Sequence, residues 1–200
     1  MVHICNRFPS DILHALAELP ETLDETYERT LRGINKADWK IAHRMFQFVS
    51  VASRPLHVKE LADLLAFDFE TKSIPKFNED WCLDDPAVAI LPTCSTLLAI
   101  VNHQGSPVVQ FSHFSVKEFL TSTRLSKSID SISRYHVSMT PAHTLVAQAC
   151  LGILLHLDKD DTRGSLEGLP LFEYAAEHWV DHARFEDVSR SLLIARLSRV

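Results

Sequence analysis

The sequence predicts a mainly α-helical fold: a winged helix, with a three-helix core and a two-stranded β-wing, followed by a small helical bundle. Three observations predict it. Apolar residues return every three or four positions through most of the chain, the period of an amphipathic helix. The period switches to two near residues 98–114, where LAIVN and PVVQFSHF flank the turn HQGS, which reads as a β-hairpin with a four- or five-residue loop. Five helical segments precede that hairpin, the last three of them within the winged helix, and more follow it.

Taken in order, Ser10 suits the N-cap of a helix over DILHALAEL. Pro20 suits the first position of the next, PETLDETYERTLRGI, where Leu19, Leu23, Tyr27, Leu31 and Ile34 form one apolar stripe and Gly33 lies near the end. ADWKIAHRMFQFVSVAS, residues 37–53, is the most apolar helix. Trp39, Ala42, Phe46, Val49 and Ser53 share a face, and Ile41, Met45 and Phe48 widen it, which places this helix at the centre of a core. Arg54-Pro55 stops it. VKELADLLAF is a short helix with His57 at the N-cap and Glu60 three residues on, half of a capping box. Residues 68–86 show no period and read as a loop. Pro92 breaks the next apolar run, leaving a short helix at 92–98 before the hairpin. Thr140 suits the cap of PAHTLVAQACLGILLHLD, KDDTRGSLEG reads as a solvated loop, Pro170 opens LFEYAAEHWVDHA, and EDVSRSLLIARLSR closes the chain as an amphipathic helix.

Composition excludes several classes. Of the 200 residues, 46% are apolar and 23% charged, the balance of an ordinary globular protein. The net charge of −6 opposes nonspecific attraction to nucleic acid or an anionic membrane. No apolar run approaches the ~18 residues of a membrane span, and MVHICNRFPSD lacks the pattern of a signal peptide. A cytoplasmic protein is expected. Cys5, Cys82, Cys94 and Cys150 are far apart and form no C-x-x-C pair, so buried free thiols are expected rather than disulfides or a thiolate zinc site.

The stretch FSHFSVKEFL, residues 111–120, carries the densest local signal. Ser115 and Glu118 have capping-box spacing, and Phe114 and Phe119 have hydrophobic-staple spacing. By strand alternation His113 shares a side with Val109 and Phe111. His113 is open to several readings: a buried histidine bonded to a backbone carbonyl, a catalytic base, a metal ligand, or a phosphate contact beside a helix N-terminus. No nucleophile pairs with it from sequence alone.

LPETLDETYERTLRGI, RPLHVKELADLLA, CSTLLAIV and FSHFSVKEFL, in that order, resemble the region after the nucleotide-binding module in fungal NACHT proteins. These are STAND NTPases, relatives of NOD-like receptors, and the winged helix is of the GPI inositol-deacylase type. LVAQACLGILLHLD and LFEYAAEHWVDHAR resemble the helical segment that precedes their ankyrin repeats, so the resemblance spans roughly residues 10–185. It implies a helical linker over 1–34, a winged helix over 35–125 and a helical domain over 135–200. It also implies that His113 contacts an ADP phosphate in an intact protein, with the NACHT module and ankyrin repeats as partners in cis, and it allows self-association. The chain itself contains neither a G-x-x-x-x-G-K-[ST] loop nor an ankyrin signature. ADP or ATP is therefore implied only together with a NACHT module, and no cofactor is expected here. His57 replaces the usual Ser or Thr, and Pro92 interrupts a helix the family has.

The implied role is regulatory and non-catalytic. A DNA-binding winged helix is the alternative, but DDPAVAILPTCSTLL, the recognition-helix position, and the wing VNHQGSPVV contain no Lys or Arg. A metal-dependent hydrolase is a further alternative. His178 and His182 stand at i and i+4, yet Trp179 occupies the place of the glutamate in H-E-x-x-H. The pair reads instead as a helix rim with Glu177 and Asp181 solvated, and Trp179 as a seal against the winged helix. No catalytic or metal residue is assigned.

Overall fold

A computed structural model describes residues 22–70, 75–82, 87, 96–156, 170–186 and 188. The expected helix at 10–19, most of the one after 185, most of the short helix at 92–98, the loop at 159–168, and Ser10, Pro20, Cys5 and Cys94 lie outside them.

Helix α1 spans Leu23–Gly33. Its N-cap is Thr22, whose hydroxyl accepts the Glu25 N–H at 3.2 Å. Asp24 and Glu25 in the first turn and Arg32 in the last complement the helix dipole. Tyr27, Leu31 and Ile34 are buried as the stripe predicts, but Leu23 is exposed. Helix α2, Trp39–Val51, is the central one. Ala42, Met45, Phe46 and Phe48 are fully buried and the polar Gln47 and Ser50 nearly so, so packing reaches most of its circumference. Ile41 is a correction: it faces outward.

Strand β1, Leu56–His57, leads into α3, Val58–Leu65. The predicted half capping box forms, with Glu60 accepting the His57 N–H at 2.8 Å. Residues 68–86 are not wholly irregular. Strands β2, Phe67–Asp68, and β3, Lys76–Phe77, pair antiparallel and bring the Phe67 and Phe77 rings to 5.3 Å. Two residues per strand are too few to show a period, so only their cross-strand rings reveal them.

Strands β4, Leu98–His103, and β5, Ser106–Phe111, form the wing. The loop is shorter than predicted. His103 pairs with Ser106, leaving Gln104 and Gly105 as the turn, with φ of 51° and 87°. Two successive positive φ values match the primed turn that suits strand twist. β1 pairs with the far side of β5, giving the order β1-β5-β4.

Helices α4, Phe114–Leu120, and α5, Thr123–Ser126, and a 3-10 turn over Ser131–Tyr135 lead to α6, Met139–His156, and α7, Pro170–Arg184. Pro170 stands at the first position of α7 as predicted. Thr140 does not cap α6; it lies inside the first turn, where its carbonyl accepts the Thr144 hydroxyl at 2.8 Å. Gly152 lets α6 approach β2: a Cβ there would lie 2.9 Å from the Phe67 ring and 3.2 Å from the Pro75 carbonyl. One hydrophobic core runs from Leu31, Phe46, Phe48 and Leu64 through Tyr135 and Val146 to Ile153, Leu171 and Tyr174, and Trp179 packs at its edge. An ion-pair chain crosses the surface from Asp24 to Arg124 (2.6 Å), Glu28 (3.1 Å), Arg32 (3.0 Å) and Asp130 (2.7 Å). Cys150 is a buried thiol, as expected, whereas Cys82 is exposed. Among the described residues no helix is long and apolar enough to cross a membrane.

Candidate functional site

The corner after the wing holds His113. β5 ends at Phe111, and Ser112 fixes the turn by giving its N–H to the Leu97 carbonyl and its hydroxyl to the Thr96 carbonyl, both at 2.9 Å. His113, extended at φ −149° and ψ 148°, is itself the N-cap of α4. Its Nδ1 accepts the Ser115 N–H at 3.3 Å and lies 2.6 Å from the Ser115 hydroxyl. The Tyr27 phenol reaches the same hydroxyl at 2.7 Å. One assignment uses every donor once: Tyr27 donates to Ser115, and Ser115 donates to Nδ1. Nδ1 is then an acceptor, and the imidazole proton resides on Nε2.

This corrects the predicted start of α4. Ser115 lies inside the helix, and its hydroxyl is engaged by His113 and Tyr27 rather than by the backbone N–H three residues on. Phe114 is 70% exposed, so it does not staple onto the buried Phe119; its ring lies 4.3 Å from that of His113. The buried, carbonyl-bonded reading of His113 is also overturned, because the residue is exposed. The structure does pair a hydroxyl with His113, which the sequence did not show. Among the described residues no carboxylate meets the other ring nitrogen, and the Ser115 hydroxyl is held between two partners. The geometry is that of a cap, not of a nucleophile with its base.

The second histidine group differs from its predicted form. His182 is not on a rim: it is fully buried, with Nε2 2.9 Å from the Tyr174 hydroxyl and Nδ1 3.0 Å from His143 Nδ1. The Tyr174 hydroxyl accepts the Ser53 N–H at 3.1 Å. Burial pushes His182 down to about 4, with the neighbouring His143 adding to the effect, and raises Tyr174 to about 12. His143 is also lowered, by burial and then by Lys117. His178 remains nearer the surface, 3.4 Å from Asp181, with its ring 4.9 Å from that of Tyr174. No group of three or more His, Cys, Asp or Glu among the described residues is placed to hold a metal ion.

Two acidic residues complete this region: Glu60, known from sequence only as a capping residue, and Asp63, which the sequence left unremarked. Glu60 is almost fully buried and takes a bidentate Arg54 at 2.6 and 2.8 Å. Asp63 accepts the Leu171 N–H at the start of α7 at 3.0 Å, and burial raises it to about 6. The available signal was LADLL, where a carboxylate interrupts an apolar run and so must have a partner.

The order α2, β1, α3, wing, with β1 against the outer side of β5, defines a winged-helix domain with further helices packed on it. The chain belongs to the GPI inositol-deacylase winged helix domain family, whose description matches residues 27–131. It is also similar to the azaphilone pigments biosynthesis cluster protein L of Monascus ruber, at 29% identity over 177 residues, 84% of this chain. The chain spans 36% of that relative. No solved structure matches it.

Proposed function

We propose that this chain is a non-catalytic regulatory part of a NACHT-type STAND NTPase, packing on the nucleotide-binding module and relaying its ADP or ATP state. The observation that carries this reading is the state of His113. Its ring is exposed yet oriented, because Ser115 occupies Nδ1 from two sides. With Nδ1 held as an acceptor, Nε2 carries the proton and is the donor a phosphate oxygen requires. In this reading the winged helix is closed on the ADP state through that donor and released when the nucleotide changes, which requires two states with different contacts.

The cofactor and partners follow from the same reading. ADP or ATP binds only where a NACHT module supplies a phosphate-binding loop, and this chain alone binds neither. The test uses the form of the protein that carries that module. His113→Ala is expected to lower the fraction of protein purified with ADP and to raise basal assembly. Unchanged occupancy and unchanged assembly would refute the proposal. DNA recognition gains no support from the wing, where neither β4 nor β5 carries a Lys or Arg.

A further inference from the structure

Helix α7 is tied to the winged helix and to α6 by polar bonds along its length. At its start Asp63 of α3 accepts the Leu171 N–H. One turn on, the Ser53 N–H, just after α2, donates to Tyr174. Two turns further, His182 bonds both Tyr174 and His143 of α6. One proton arrangement runs in a single direction through the chain. Ser53 N–H donates to the Tyr174 oxygen; Tyr174 O–H donates to His182 Nε2; His182 Nδ1–H donates to His143 Nδ1. Both imidazoles are neutral, and each proton has one place.

We propose that the Ser53–Tyr174–His182–His143 chain is a proton-operated clasp, whose protonation loosens α7 from α6 and from the winged helix. A proton added to His143 at Nδ1 sets two N–H groups face to face at a separation of 3.0 Å. A proton added to His182 at Nε2 points at a hydroxyl that already donates there. Either step replaces a bond by a clash of donors, and the second also places charge on the fully buried His182. His143 is half-buried, so a proton can enter from that side.

The surrounding groups do not compensate. Lys117 of α4 opposes a charge on His143. Arg54 lies over the Tyr174 ring at 5.1 Å and adds positive potential, although Glu60 pairs with it. On α7 itself His178 opposes a charge on His182. Asp181 favours that charge, but its side chain is 62% exposed and faces His178. Glu177 is similarly exposed, and Cys150 of α6 is a neutral thiol. Asp63 titrates in the same range at the other end of α7, with the opposite effect, and needs its own control.

The test is hydrogen exchange of the full chain at pH 7.5 and 5.0, corrected for the intrinsic rate, read over residues 171–183 and over α2. The wild type is expected to show opening of α7 on the order of tenfold more frequent at pH 5.0, with α2 unchanged. In His143→Gln/His182→Gln the difference should vanish, because glutamine bonds without titrating; in Asp63→Asn it should remain. Imidazole shifts at pH 7.5 should report Nδ1–H on His182 and Nε2–H on His143, independent of whether the double variant folds. The reverse tautomers, an equal pH response in the double variant, or α2 opening together with α7 would overturn the clasp.

Discussion

The Tyr27 phenol and the Ser115 hydroxyl, 88 residues apart in the chain, meet at 2.7 Å. Through this bond α1 reaches across to the cap of α4 and holds the Ser115 hydroxyl against His113. The orientation of His113 therefore depends on a residue outside the wing.

Tyr27→Phe removes that bond while leaving the ring beside Phe119, 5.5 Å away. It should lower stability by about 1 kcal/mol in urea unfolding. Ser115→Ala should cost at least as much, because it also removes the hydroxyl bond to His113. A double-mutant cycle should give a coupling of about 0.5–1 kcal/mol; strict additivity would show that the bond contributes nothing.

Arg54→Ala leaves the Glu60 carboxylate, 3% exposed, without its bidentate partner. The loss should be roughly 2–3 kcal/mol, below the range for a wholly buried pair because the Arg54 side chain is 30% exposed. Glu60→Gln combined with Arg54→Met should recover part of it, since no unpaired charge then remains. A denaturant midpoint for the double variant no higher than that of Arg54→Ala would contradict this account.

Two opposed groups, His182 and Asp63, shape the pH dependence, and His143 and His43, both lowered by burial, act in the same sense as His182. His182 falls from 6.5 to about 4 in the fold, so between those values the unfolded chain binds more protons and stability rises with pH. Asp63 rises from 3.8 to about 6, so over most of the same window the folded chain binds more protons and stability falls with pH. Asp63→Asn removes the second effect and keeps a hydrogen-bond acceptor for Leu171. Its stability should climb more steeply between about pH 4 and 6 than that of the wild type. Parallel curves would mean that Asp63 does not titrate there.

Gly152→Ala sets helix propensity against packing. Alanine gains about 1 kcal/mol over glycine inside an exposed helix. Here its Cβ would meet the fully buried Phe67 ring at 2.9 Å and the Pro75 carbonyl at 3.2 Å. Net destabilisation of about 1–2 kcal/mol is expected by thermal or denaturant unfolding. A stabilised variant would place α6 further from β2 than the structure does.

The periodic elements were legible because periodicity is a direct image of burial: Tyr27, Leu31, Ile34 and the apolar face of α2 behave as their spacing dictates. Ile41 was misassigned because an apolar residue on a helix flank has no local mark of whether anything covers it. The wing was legible as two alternating runs, but not the length of its turn, since positive φ at Gln104 is set by strand twist and not by a glycine. His113 was found by a local signal whose reading was inverted. The S-x-x-E pattern is local, whereas the contact that diverts Ser115 comes from Tyr27. His182 was assigned to a surface because its i, i−4 neighbour His178 is closer to one. Its actual partners, Tyr174 and His143, lie one on its own helix and one on another, and only the fold brings the three together.

The family match stops at residue 131, but the shared core does not stop there. Tyr135, Val146, Ile153, Leu171 and Tyr174 all lie beyond it and cover α2 and α3. A fragment cut at the family boundary would bare Phe46 to water on the side where Tyr135 now stands, 6.2 Å from its ring. Such a fragment would inherit a recognisable ancestry and an adhesive surface together. The length that the family description covers is shorter than the length that water requires.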